Sequence, residues 1–198
     1  MTYMLKIRWL QFTQITRCVV FAFVVLFGIL FTPPAHAAIS TQYAAMTRLS
    51  DGAYAVNADF RFSLPNQLQD AVNHGTPIFF TVDFELARPR WYWADEDIIS
   101  ARREHRISYN SLTQQYRVAV GADQYRFNSL SESILFASRP SQWRVLGSSQ
   151  YTAGDQYVAG IRMTLNTAKL PQTYQLNSLT QQGWGLASGW YRFNFTPR

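Results

Sequence analysis

The sequence predicts a mainly β protein, an antiparallel β-sandwich with two short α-helices packed across its ends. Three observations support that class. Several stretches alternate apolar and polar residues with period two, two short segments carry helix-start signals, and the chain is long enough to close one core.

In chain order, the first 37 residues read as a leader. Lys6, Arg8 and Arg17 are positive, Cys18 to Phe31 is uncharged and apolar, and Pro33-Pro34 breaks any helix. Ala35-His36-Ala37 supplies small residues where a signal peptidase reads, so cleavage before Ala38 is expected. The apolar run is shorter than the ~20 residues a bilayer span needs. The other reading is an inner-membrane anchor over residues 9–31, which would place Arg17 inside the span. Residues 38–198 then form a single β-rich domain, with no linker or charge block to divide them.

Within that domain, Tyr54, Val56, Ala58, Phe60 and Phe62 share one face of a strand, opposed by Asn57, Asp59 and Arg61. Ile78 to Leu86 repeats the pattern, with Thr81, Asp83 and Glu85 on the solvated side. Tyr116-Val118-Val120, Ile161-Met163-Leu165 and Tyr191-Phe193-Phe195 read the same way. Ile99 to Tyr109 is a weaker, charged strand, and Gln142 to Leu146 a short one. Within Ile99 to Tyr109, the run Arg102-Arg103-Glu104-His105-Arg106 suits an exposed edge guarded against strand addition, or a partner-binding face.

Pro65 to Asn73 starts with a helix-compatible proline and stops at Gly75, with Leu64, Leu68, Ala71 and Val72 on one side. Ser129-Leu130-Ser131-Glu132 is a capping box that opens a helix carrying Leu130, Ile134 and Leu135 and ending by Pro140. The residues around the two helices echo each other, either as a duplicated strand–helix–strand unit or as convergent end-crossing helices.

Composition narrows the function classes. Three of the 18 basic residues and none of the 12 acidic ones lie in the leader, leaving 15 against 12, or about +3 instead of +6. So mild an excess gives no nucleic-acid partner. The lone cysteine, Cys18, is in the leader, so the domain has neither disulfide nor thiol nucleophile. His74 and His105, without cysteine, do not make a zinc site, and no metal or cofactor is expected. Ser148, Ser149 and Ser188 lack a nucleophile elbow, so no catalytic residue is assigned. Ser188 lies in a glycine-bounded turn or bulge before the last strand.

One constellation is dense enough to be a site. In Arg88-Pro89-Arg90-Trp91-Tyr92-Trp93-Ala94-Asp95-Glu96-Asp97, arginines flank three aromatic rings and three carboxylates follow. Arg88, Arg90, Trp91, Tyr92, Trp93 and Asp95 are the candidate binding residues: rings for a sugar or peptide, arginines for an anion. On a strand, Trp91 and Trp93 would form a paired indole surface. The structural alternative has the rings closing the end of the sandwich beneath the arginines. An enzyme would be a carboxylate-dependent glycan hydrolase using Asp95, Asp97 or Glu104.

Several segments together resemble one family. Phe84 to Trp93 followed by Asp95 is similar to a signature of the domain of unknown function 4390 family. So are Ile107 to Asn110 leading into Leu112 to Val118, Phe127 with Ser129 to Glu132 and then Trp143 to Val145, and Leu170-Pro171. The resemblance implies exported proteins of Gram-negative bacteria without an assigned activity, whose genes often neighbour that of a sensor histidine kinase. The combined expectation is a periplasmic, non-enzymatic interaction or ligand-binding module, or else a structural accessory protein. Its partner would be an envelope or membrane protein such as a sensor kinase, and it would meet the membrane only through an uncleaved leader.

Overall fold

The alternating runs become the strands at the centre of the fold. The computed structural model describes residues 39–172, 174–175 and 185–198, and the expected leader lies outside them. The strands are β1 (Ser40–Arg48), β2 (Tyr54–Arg61), β3 (Ile78–Arg88), β4 (Glu96–Asn110) and β5 (Gln115–Val120). They continue with β6 (Asp123–Phe127), β7 (Trp143–Leu146), β8 (Tyr157–Leu165) and β9 (Tyr191–Phe195). The helices are α1 (Asn66–Asn73) and α2 (Leu130–Ala137), with a short 3-10 turn at Thr167–Lys169.

Two antiparallel sheets result, a small one ordered β1-β2-β7 and a large one ordered β6-β5-β4-β3-β8-β9. Their inner faces share one core. Phe60 of the small sheet and Phe80, Phe84 and Ile161 of the large one are at most 1% exposed. Rings bridge the sheets as well: Phe84 meets Trp143 at 6.4 Å and Tyr54 meets Phe195 at 4.9 Å. The expected antiparallel sandwich is therefore the fold.

Each helix carries the chain from one sheet to the other. α1 links β2 to β3, and α2 links β6 to β7. Pro65 caps α1 with extended backbone, Leu68 and Val72 are fully buried, and the helix stops at His74 and Gly75. Gly75 adopts φ +90, where a side chain would be strained, and its N–H reaches the Val72 carbonyl at 2.9 Å. In α2, Ser129 Oγ accepts from the Glu132 N–H at 3.2 Å, as the capping box requires. The Glu132 carboxylate reaches back to the Asn128 N–H at 3.3 Å. The face α2 buries differs from the expected one: Ser133 and Ala137 are buried, while Leu130 and Ile134 are half-buried and Leu135 is exposed. Small residues let this helix lie close to the sheet, and its leucines are left partly or largely in solvent.

Three other expectations change. β1 and β6 carry no clear alternation, and they form because β2 and β5 offer them a pairing edge. The charged strand β4 is the longest, at 15 residues. It is not an edge throughout: His105 to Ile107 pair with both β3 and β5, Ser108 to Asn110 pair with β5 alone, and the stretch from Glu96 to Glu104 pairs only with β3. The outer face of β3 is also drier than alternation suggests, with Thr81 7% and Asp83 8% exposed. Asp83 lies directly between Arg102 and Arg162 in the ladder and accepts from their Nε atoms at 2.7 and 3.0 Å. Two forked cations satisfy the nearly buried carboxylate. Asp83→Ala is expected to cost about 1–3 kcal/mol, from losing hydrogen bonds between charged groups, read as a lower urea midpoint.

Candidate functional site

The six residues singled out in sequence fall together where β3 turns into β4. The ladder closes at Arg88 opposite Glu96, so residues 89–95 form the connection. Pro89 lacks an N–H and cannot extend the ladder, which ends pairing at this point. Trp91, Tyr92 and Trp93 therefore lie in a turn and not on a strand, and the paired indole surface expected from strand geometry does not form. Trp91 instead meets Tyr92 edge-on at 5.2 Å.

All three rings face outward, with Trp91 95%, Tyr92 66% and Trp93 74% exposed. The structural alternative required the opposite, with rings buried as a plug. Asp95 is exposed beside them.

The arginines brace the neck of the turn. Arg90 Nη2 contacts Glu96 Oε2 at 2.6 Å, while Arg88 lies 3.9 Å from both Glu96 and Asp155. The Arg90 hydrogen bond holds the Glu96 carboxyl below its ordinary range and raises the guanidinium in turn. The Arg88 guanidinium also lies 5.7 Å from the centre of the Tyr157 ring, which belongs to the core. Arg88 and Arg90 thus tie the turn to strands β4 and β8 and do not cover the indoles.

Asp97 and Glu104 do not form a hydrolytic pair. Asp97 and Glu104 stand seven residues apart on β4, about 23 Å along a strand at roughly 3.3 Å per residue. A glycosidase pair needs about 5–10 Å. Glu104 is engaged by Lys169 at 2.5 Å.

The remaining polar candidates have structural partners. His74 caps α1, its Nδ1 lying 2.7 Å from the Asp70 carbonyl. Ser188 is buried; its Oγ accepts from the Met163 N–H at 2.8 Å, and its own N–H donates to the Met163 carbonyl at 2.8 Å. With the isolated antiparallel bridge between Thr164 and Ala187, that exchange pairs the segment around Ser188 with β8; Gly183 and Trp184 of the expected turn or bulge lie outside the described residues. Among the described residues no group of three or more His, Cys, Asp or Glu side chains could hold a metal ion.

Sequence reasoning missed a cleft of about 450 Å³ between α2 and the end of β2 with the segment that leads into α1. Phe62, Leu64, Leu130 and Ile134 line it, with Arg61 and the Asp59–Arg139 ion pair at 3.4 Å also on its wall. The signal was the apolar side of α2, which reads as core in sequence and stands half open in the fold.

These features define a class: an antiparallel sandwich that presents an exposed aromatic turn on an arginine-braced hairpin. The family model for domain of unknown function (DUF4390) matches residues 36–194, and the chain belongs to that family. No curated protein and no solved structure matches the chain.

Proposed function

We propose that this protein is an exported, non-enzymatic binding module that engages a partner in the bacterial envelope through the β3–β4 turn. One observation carries the reading: three adjacent aromatic side chains stand in solvent at the tip of a hairpin whose neck is fixed by ion pairs. Exposing so much ring surface has no folding benefit, and aromatic residues are prominent among protein-binding hot spots. Pre-ordering the neck lowers the entropy lost when the turn docks. The leader pattern supports a periplasmic location, where an envelope protein such as a sensor kinase is the suitable partner. Among the described residues no helix is long and apolar enough to cross a membrane.

Photo-crosslinking from position 92 in intact cells tests the partner. The expected result is one dominant envelope protein, captured from position 92 and not from Leu112, which is still more exposed in another turn. Equal capture from both positions would remove the turn from the reading. The export step is tested separately. Mass spectrometry of the periplasmic fraction should give a protein beginning at Ala38, and a full-length mass in the membrane fraction would favour the anchor over residues 9–31.

A further inference from the structure

His105 is 2% exposed in the middle of the fold. Its Nδ1 lies 2.8 Å from the Ala137 carbonyl, which can only accept, so Nδ1 carries a proton. Nε2 is fully enclosed and has no hydrogen-bond partner. Such groups are nearly always paired, so this nitrogen calls for a hydrogen-bond partner.

His105 lines a cavity of about 60 Å³ beneath the end of α2. Arg103, Tyr125, Arg139 and Ser141 line it too, and no carboxylate is in its wall. Among the described residues Arg103 has no acidic partner, and its guanidinium lies 5.9 Å from the Trp143 ring centre. Arg139 shares its charge with Asp59 at 3.4 Å. Of the elements around the ring, β4 supplies Arg103, β6 supplies Tyr125 and the segment after α2 supplies Arg139. β5 supplies Val120 and α2 supplies Phe136, neither of which titrates. Two permanent cations and two hydroxyls form an environment suited to an anion, and the imidazole adds a further donor at Nε2 when it is protonated.

We propose that this cavity binds a small tetrahedral oxyanion of the phosphate class, either the free ion or the head of a phosphomonoester. The lining offers more donors than a carboxylate's two oxygens could use. At roughly 30 Å³ per water, the volume suits about two waters or one such ion. Tyr125, Arg139 and Ser141 are exposed, so an ester arm can project to solvent. His105 becomes the anion-linked group. Burial, aided by the charge of Arg103, pushes its imidazole below the ordinary 6.5, although the Ala137 hydrogen bond opposes this. A bound dianion reverses that balance and turns Nε2 into a donor.

The test is an NMR titration of the His105 ring at constant ionic strength, with inorganic phosphate, glycerol phosphate or sulfate against potassium chloride. Sulfate remains a dianion throughout, so any pH dependence belongs to the protein. The expected result is a rise of about one unit in the His105 pKa, equivalent to roughly tenfold tighter anion binding to the protonated form. Arg103→Ala and Arg103→Gln should each weaken phosphate binding about tenfold or more without changing the thermal midpoint of the free protein. Competition by glycerol phosphate assigns the ester as the source, and its absence assigns the free ion. An unchanged His105 pKa in phosphate and sulfate, or full affinity in both Arg103 variants, would overturn the site.

A second readout follows from the same group. Because the folded-state pKa is depressed, the unfolded chain takes up the proton first as pH falls. Stability should therefore decline below about 6.5 toward the folded-state value, and less steeply with saturating sulfate. A decline of the same slope with and without sulfate counts against the site.

Discussion

Phe84→Ala is expected to lower the unfolding free energy by about 3–5 kcal/mol, the usual range for truncating a fully buried phenylalanine. Phe84 is 0% exposed on β3, which is flanked by β4 and β8, and its ring meets Trp143 of the small sheet edge-on at 6.4 Å. The substitution would open a cavity between two sheets held apart by their own ladders, so collapse can recover little of the loss. A domain of this size is stable by only about 5–15 kcal/mol, and the urea midpoint should fall sharply with an unchanged slope. Leu68→Ala, at a 0% exposed site on α1, should cost about 2–5 kcal/mol. Leu135→Ala on α2 should cost no more than about 0.5 kcal/mol, because that side chain is 50% exposed. If all three variants unfold at the wild-type midpoint, the two sheets do not share a core.

The contrast between these positions shows which parts of the fold were legible in the sequence. β2, β3 and β8 each have one apolar buried face, and their alternation identifies both the strand and that side. β6 is exposed along nearly its whole length, and β1 is mostly exposed, so burial leaves little pattern there to read. Their existence depends on an edge provided by a distant strand. The Asp83 cluster was hidden for a related reason: its three charges come from three strands, and only the register makes Arg102 and Arg162 its neighbours.

The site was legible in composition but not in geometry. Trp-Tyr-Trp has high strand propensity, which argues for a continuing strand, yet Pro89 ends the ladder first. His105 carried a usable signal: Arg103, His105 and Ile107 alternate onto one face, and Ile107 is fully buried. That phase put an imidazole and a guanidinium toward the core. The cavity they form could not be read, because α2 and the segment after it close it from far along the chain.

Trp91→Ala and Trp93→Ala are each expected to weaken partner binding by about 2 kcal/mol or more, roughly 30-fold, with stability changed by no more than about 0.5 kcal/mol. The separation follows from exposure. Rings that are 95% and 74% exposed lose little on unfolding, so truncating them removes almost no native packing. At an interface the same rings would lose most of their contact with water, and that contribution would disappear with the side chain. Arg90→Ala should act differently. It releases Glu96 from its 2.6 Å contact and loosens the neck of the hairpin, so binding should weaken through slower capture or poorer ordering while the indoles remain present. Measuring urea midpoints and affinity for the crosslinked partner on the same variants distinguishes these effects. Reduced affinity at an unchanged midpoint supports the aromatic turn as the binding surface. A lowered midpoint with unchanged affinity in the folded fraction would assign the indoles to stability, and the partner would then have to dock elsewhere on the sandwich.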